Sequence, residues 1–421
     1  MKILILTLGS RGDVQPYVAL GTALKSRGHD VTVSTGRGFE DMIEAAGLSA
    51  APLSDDVREL IDRPEIQQAM RSFSGKVRAW RESKGLFRRQ LDDMWGVARD
   101  LRPDAIVYHH PKALAAPHIA EALQAVAIPA ALIPAYIPTA AFPSPGLPFR
   151  TLGPTGNRMS HRIVRELISW LLSGKIDTWR QQTLGLGRMA SRDLFEGYHP
   201  NGLPVPRLHP FSRHLVPVAD AWSDRDHITG YWFTDRTDDW EPPDGLARFL
   251  DAGPPPVYVG FGSMPTEDAK RLTGIVAEAL HRAGERGVLA TGWGGLDDSM
   301  KTGRIHVLDA APHDWLFPRC AAVVHHGGTG TTHEGLRWGR PSIVCPVFGD
   351  QPFWGQRVQA TGAGPAPLPQ KRLKPEKLAE ALVAVREPAM TSRAAEIGKA
   401  MQEEPGADGA ASVLDSFFAT L

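Results

Sequence analysis

The sequence predicts an α/β protein of two doubly wound, Rossmann-like parallel-sheet domains facing one cleft. Three observations point there. The first fifty residues alternate strand, helix and strand. The same alternation restarts at residue 257 and runs to about 346. Between them lie TDRTDDWEPPD and GPPPV, proline and acidic runs of the kind that make linkers. A chain of 421 residues also has room for two domains, at roughly 100–200 residues each.

The elements follow in order. Ile3 to Leu8 is a continuous apolar run, as expected of a strand covered on both faces. The turn GSRGD leads into a helix from Val14 to Lys25, with Val14, Tyr17, Val18, Leu20, Ala23 and Leu24 at helical spacing. Gly28 ends it, and Asp30 to Ser34 is the next strand. Residues 55–102 read as helical and arginine-rich. Asp104 to Tyr108 is a strand, Pro111 to Ala125 a helix, and Ile128 to Ile133 a strand. In 150–192, Ile163, Leu167 and Leu171 lie beside Val164, Ile168, Leu172, Ile176 and Trp179, an apolar stripe with arginines such as Arg162, Arg165 and Arg180 around it. After the linker, strands are expected at Val257 to Phe261, Val288 to Thr291, Ile305 to Leu308, Ala321 to Val324 and Ser342 to Pro346, with a helix from Thr266 to Gly284. The expected organisation is a first domain over 1–216, a linker over 217–256, a second domain over 257–404, and a last helix over 405–421 that returns to the first domain.

Composition excludes several classes. Lys plus Arg and Asp plus Glu are both 47, so there is no basic excess for nucleic acid. Cys320 and Cys345 sit in apolar runs and read as reduced, buried thiols of a cytosolic protein. The opening MKILILTLGS reads as a strand and not a signal peptide. Residues 123–149 carry no charge, but six prolines forbid a spanning helix.

The strongest motif is VVHHGGTGTTHEGLRWGRPSIVCPVFGDQPFW, Val323 to Trp354. A buried strand ends at two histidines. The loop Gly327, Gly328, Thr329, Gly330 lets backbone amides approach a ligand, and Thr331 is expected to start a helix whose free N–H groups bind an anion. Close packing alone would also explain the glycines. Asp350–Gln351 can accept and donate hydrogen bonds together, which suits a polyol, although Asp350 could instead cap a turn. His325, His326 and His333 could hold zinc, but strand neighbours point to opposite faces, which argues against a metal. Asp224-Arg225-Asp226 is a D-x-D near the linker, away from any strand end, and is not expected to hold a metal.

These segments resemble the two-Rossmann-domain (GT-B) nucleotide-sugar glycosyltransferases, closest to sterol glucosyltransferases and the bacterial transferases that glycosylate antibiotic aglycones. The resemblance is carried by GSRGDVQPYVALGTALKSRGHDV at 9–31, GFGSM at 260–264, TGWGGL at 291–296, and PHDWLFPRCAAVVHHGGTGTT at 312–332 running into FGDQPFW. It implies that Ser263 lines the nucleotide phosphates and that Ala311 and His313 hold the base or ribose. His326, Thr329, Gly330 and Thr331 would bind the diphosphate. Asp350 and Gln351 would bind the sugar, and Ser10 and Arg11 would reach the donor from the first domain. Plant members place a tryptophan against the uracil where this chain has Ala310; Trp293 is the substitute. Glu334 matches the plant glutamate that holds the ribose.

Asp13 has two readings, the base that takes the acceptor's proton or the N-cap of the helix at Val14. As a base it is expected to gain basicity from burial. His109, His110 and His118 are rivals for that role. The loop from Ile133 to Phe149 is expected to wall an apolar pocket, giving His109, Tyr136 and Phe142 as acceptor-binding residues. The resulting expectation is an inverting transferase. It moves glucose from a UDP-sugar to the hydroxyl of a sterol, hopanoid or polyketide, with no cofactor and no metal. It works in the cytoplasm with a peripheral contact at the membrane's inner face. A dTDP-sugar natural-product transferase is the alternative. A nucleotide-sugar epimerase and a non-catalytic relative are the rivals. The apolar region over 55–180 speaks against the first, and intact Asp13, His326, Asp350 and Gln351 against the second.

Overall fold

The computed structural model describes residues 1–54, 73–135, 137–147, 149–218, 222–234, 240–262, 269–291 and 303–421, without the side chains of 73–84 and 269. The first sheet holds β1 (Lys2–Leu6), β2 (Asp30–Gly36), β3 (Ser49–Leu53), β4 (Ala105–His109), β5 (Val126–Ala130), β6 (Arg207–His209) and β7 (Asp226–Ile228). They lie in the order β3-β2-β1-β4-β5-β6-β7, with every pairing parallel. The second holds β8 (Val257–Gly260), β9 (Gly287–Ala290), β10 (Ile305–Leu308), β11 (Ala322–His325) and β12 (Ser342–Val344), in the order β10-β9-β8-β11-β12 and also parallel. In both sheets the winding reverses beside the first strand, between β1 and β4 and between β8 and β11. Ligands in such sheets bind beyond the strands' carboxyl ends at that reversal.

β1 shows why the sequence folds this way. Ile3 and Ile5 pack with the core under α1 (Arg11–Ser26), while Leu4 and Leu6 pack on the other side with Leu91, Met94 and Ala98 of α2 (Phe73–Leu101) and with α3 (Ala116–Leu123). Both faces are covered, so alternate residues can all be apolar. The long helix α4 (Gly153–Thr183) follows β5. In the second half, α5 (Thr329–Arg337) follows β11 and α6 (Gln351–Thr361) follows β12.

The last helix, α7 (Gly406–Phe418), packs on α1 through Ala410, Ala411 and Leu414. Arg27 and His29 bind Asp415 at 3.0 and 2.7 Å. Where the chain returns to the first half, the Gly406 amide donates to the Thr229 carbonyl at 2.6 Å.

Several expectations are corrected. α1 begins at Arg11 and not Val14, and α5 begins at Thr329 and not Thr331. The segment expected as linker contributes β7 to the first sheet, and a helix, Asp244–Asp251, whose Leu246 packs with the second sheet. β3 was not anticipated, nor were β6 and β7, which are only three residues each and too short to show alternation.

Candidate active site

The first wall of the cleft lies beyond β1 and β4. Ser10 is the N-cap of α1 and Asp13 its third helical residue. Ser10's amide and hydroxyl donate to Asp13 Oδ2 at 2.8 and 3.0 Å, a capping box. Asp13 is therefore not the N-cap itself. Its other oxygen, Oδ1, lies 2.6 Å from Lys112 Nζ and 4.0 Å from His109 Nε2. Gly9, at φ +130°, passes so close that a Cβ there would stand 2.8 Å from the Asp13 carboxyl carbon and 2.5 Å from Lys112 Nζ. Burial pushes the Asp13 carboxyl up, but Lys112, His109 and the Ser10 amide outweigh it, and the net shift is downward. That corrects the expected gain in basicity: burial acts as anticipated, and the cation that reverses it was not foreseen.

His109, the last residue of β4, is a poor rival as base. Its side chain is 4% exposed, and burial, aided by Lys112, lowers its pKa to about 3. Thr7 Oγ1 donates to the Asp13 carbonyl at 2.9 Å, so at 3.1 Å it accepts from His109 Nδ1. That fixes the Nδ1–H tautomer. His110 is buried against Phe195 with a pKa near 3, and His118 is bonded to Arg180.

The second wall lies beyond β8 and β11. The His326 ring sits between Gly262 and Gly328; a Cβ on either would stand 2.8 or 2.5 Å from it. Burial lowers its pKa to about 4, and Nδ1 is buried without a hydrogen-bond partner among the described residues. α5 starts immediately after, at Thr329, Gly330 and Thr331, with Gly328 as an N-cap that offers no side chain, so its first amides remain available to a ligand. His313 stacks on Phe317 at 4.3 Å. Burial lowers its pKa to about 4, assisted by the charges of Arg11 and His326. Arg11 opens α1, which touches α5, so the two walls meet here. Asp350 feels charges from the first wall as well. Burial raises its pKa, and among the smaller contributions are the charges of Asp13 and Lys112.

Other expected residues are partly occupied by the fold. Asp350 Oδ2 accepts from Trp354 Nε1 at 2.7 Å, which leaves Oδ1 for a ligand. Gln351 Oε1 closes its own loop by accepting the Val347 and Phe348 amides at 2.8 and 3.3 Å. Glu334 accepts from Trp338 Nε1 at 2.7 Å. Ala311 is half-buried beside Tyr258 and Leu316. Phe142, expected at the acceptor, is 4% exposed and 5.0 Å from Phe353, in a core that joins the two halves, with its carbonyl 3.1 Å from His161 Nε2. Ser263, Trp293 and Tyr136 lie outside the described residues.

Metal chemistry has no preformed site among the described residues. His333 is structural: Nδ1 donates to the Thr329 carbonyl at 2.7 Å, Nε2 accepts the Ser212 amide at 3.2 Å, and the ring stacks on Tyr231 at 4.6 Å. His325 Nδ1 accepts the Gly327 amide at 3.0 Å. In the D-x-D, Asp226 is held by Arg207, His209 and Ser223.

Residues 3–143 match the N-terminal domain of glycosyltransferase family 28, and 298–415 match the C-terminal domain of the erythromycin biosynthesis protein CIII type. The chain is 34% identical to sterol 3-beta-glucosyltransferase UGT80B1 of Arabidopsis thaliana, over 99% of this chain and 68% of that one. It belongs to the GT-B glycosyltransferase family. Sterol 3-beta-glucosyltransferase UGT80A2 of the same plant is 35% identical over 99% of this chain, which spans 65% of its length. Among solved structures, the spinosyn forosaminyltransferase SpnP aligns over 100% of this chain and 99% of its own, with a TM-score of 0.70 and 17% identity. The glycosyltransferase VinC in complex with dTDP aligns over 99% of each chain, with a TM-score of 0.65 and 18% identity. Both share the family's fold. Lys112 is the residue that sequence reasoning missed. Its only signal was a cation following the strand-end pair His109–His110.

Proposed function

We propose that this glycosyltransferase inverts the anomeric centre of a nucleotide sugar, moving glucose from UDP-glucose to the hydroxyl of a lipophilic alcohol of the sterol, hopanoid or polyketide kind. The observation that carries this reading is the opposition of two unlike groups across one cleft. Asp13, an ionised carboxylate, stands at the reversal of the first sheet. A buried neutral histidine and an open helix start stand at the reversal of the second.

The donor's diphosphate sits on the amides of Gly328 to Thr331 and on His326, with Arg11 and Ser10 reaching it from the opposite wall. Asp350 takes sugar hydroxyls. The acceptor oxygen attacks the anomeric carbon from the face opposite the diphosphate, and its proton passes to Asp13 as the new C–O bond forms. The bond from the anomeric carbon to phosphate oxygen breaks. The charge left on the nucleoside diphosphate is met by preorganised N–H groups. No step calls on a metal. Lys112 keeps Asp13 ionised and must move off Oδ1 for the proton to arrive. The diphosphate on the facing wall is the charge that draws it away.

Glucose and a sterol-like alcohol are supported by the names of the two plant relatives, and a nucleoside diphosphate donor by the VinC complex. The test offers UDP-glucose and dTDP-glucose with a panel of sterol, hopanoid, polyketide and flavonoid alcohols. Nucleotide release that requires the alcohol, with a β-linked product by NMR, supports the reading. Release without any alcohol, or a donor isomerised at a carbinol carbon, would replace it with hydrolysis or epimerisation.

A further inference from the structure

Over residues 157–173 helix α4 fully buries only polar side chains, Asn157, Ser160, His161, Ser169 and Ser173, while Ile168 and Leu172 are half-buried against Leu114, Ile176, Leu194 and Phe195. Three of the polar side chains hold the preceding loop. Asn157 Nδ2 donates to the Ala140 carbonyl at 2.8 Å, and its Oδ1 accepts the Leu152 amide at 2.9 Å. Ser160 Oγ accepts the Ser144 amide at 2.8 Å, and His161 Nδ1 contacts the Ala135 carbonyl at 2.8 Å. The opposite face presents Met159, Ile163, Leu167, Trp170 and Leu171, all exposed, with Trp170 at 69%. Phe149 and Leu152, just ahead of the helix, extend the exposed apolar surface.

A helix on a globular protein turns its apolar stripe inward. An exposed apolar stripe over this many turns marks a surface that meets something else. Its charges say what. Arg158 and Arg162 flank the stripe and are exposed, and Glu166 is the one acid between residues 149 and 172. Arg165 and Arg180 do not contribute, against the sequence expectation. The first is bound to Asp193 and Glu196, and the second is buried on Glu121. A symmetric second copy would bring both copies' Arg158 and Arg162 into one contact, with one glutamate per chain to answer two arginines. An anionic bilayer answers both features, taking the apolar side chains below the headgroups and the arginines among them.

We propose that α4 lies on an anionic lipid surface through Met159, Ile163, Leu167, Trp170 and Leu171, with Arg158 and Arg162 at the headgroups. It lies on the bilayer and does not cross it; among the described residues no helix is long and apolar enough to span. The loop that α4 holds is the one that follows β5 towards the cleft, so the same helix face that buries polar groups ties the bilayer-facing surface to the acceptor side. This contact stands apart from the glycosyl-transfer reading, because vesicle binding is measured without any reaction.

The test is co-sedimentation of the full chain with vesicles of phosphatidylcholine alone and of phosphatidylcholine with phosphatidylglycerol. The wild type, Ile163→Asn/Trp170→Ser and Arg158→Glu/Arg162→Glu are compared. Both pairs are exposed, so unchanged melting is expected and is checked first. The wild type is expected to bind the anionic vesicles more than the neutral ones. The apolar pair should lose binding to both by about tenfold or more, and the arginine pair should lose the preference for anionic lipid. Turnover of a water-dispersed acceptor should stay at the wild-type level in both. Failure of the wild type to bind, or equal binding by all three proteins, overturns the proposal. So does a change from dimer to monomer in the variants without vesicle binding by the wild type, which would make this face a contact between copies.

Discussion

Lys112 Nζ lies 2.6 Å from Asp13 Oδ1, so the carboxylate proposed to receive the acceptor's proton is paired with a cation. That pair, with His109 and the Ser10 amide, outweighs burial in setting the basicity of Asp13. Burial alone would raise its pKa, and the net shift is downward because Lys112, His109 and the Ser10 amide face it.

The pH profile should report the pair. A base works when deprotonated, so activity falls as pH drops through the Asp13 pKa. Lys112 holds that pKa down, so in Lys112→Met the acid limb of kcat/KM moves to higher pH, and Lys112→Arg restores it. The facing groups that remain are His109, Tyr17, Tyr231 and Asp350. An unmoved acid limb in Lys112→Met would detach either Lys112 or Asp13 from the chemistry.

Asp13→Asn should keep the bond from the Ser10 amide and hence the start of α1, while losing turnover by about 10²–10⁴ with UDP binding intact. Asp13→Ala should in addition lower stability by roughly 1 kcal/mol, the worth of a helix cap. Turnover and thermal melting separate the two effects. Near-normal turnover in the asparagine variant would leave Asp13 as a capping residue alone.

His326→Ala should weaken UDP binding by about tenfold or more, one hydrogen bond to a charged group at roughly 1.5–3 kcal/mol, and should still fold. Gly328→Ala should do similar harm from the other side, since its Cβ would stand 2.5 Å from His326 Nε2. Calorimetric titration with UDP measures both. Burial lowers the His326 pKa to about 4, and a diphosphate bound beside it would raise it. Binding should then take up a proton, and UDP affinity should rise as pH falls below neutral.

Chelation should leave turnover unchanged if, as proposed, amides and His326 alone meet the diphosphate. Loss of activity in EDTA, recovered with magnesium, would require a metal in the mechanism.

Phe142→Ala should act on stability and not on acceptor choice. Its ring is packed on Phe353 between the halves, so removing it should cost about 3–5 kcal/mol, visible as a lower melting temperature. A changed acceptor KM at unchanged stability would return Phe142 to the pocket.

The parts of the molecule that were legible in the sequence are those where burial imposes a pattern. β1 could be read because both of its faces are covered, and the strand before His325–His326 for the same reason. Gly262 and Gly328 could be read because a Cβ on either would stand within 2.8 Å of the His326 ring between them. Illegible were features made by residues far apart in sequence. Lys112 meets Asp13 only because β1 and β4 are neighbours. The stripe on α4 was visible as a period, but period does not say which face is buried. That was decided by the bonds of Asn157, Ser160 and His161 to a loop that a pattern cannot show.

The bond between the Gly406 amide and the Thr229 carbonyl has a mechanical result. The outgoing backbone stays in the first core through Tyr231 and Trp232, the returning backbone arrives at Gly406, and this bond fastens the two passes side by side. A swing of the halves about it, as of the covers of a book, would leave that bond closed, and residues beside it, such as Tyr231 stacked on His333, would move least. Groups farther out trace wider arcs, so admitting a bulky donor and letting its spent nucleotide escape would need only a small angular change at a single place in the chain.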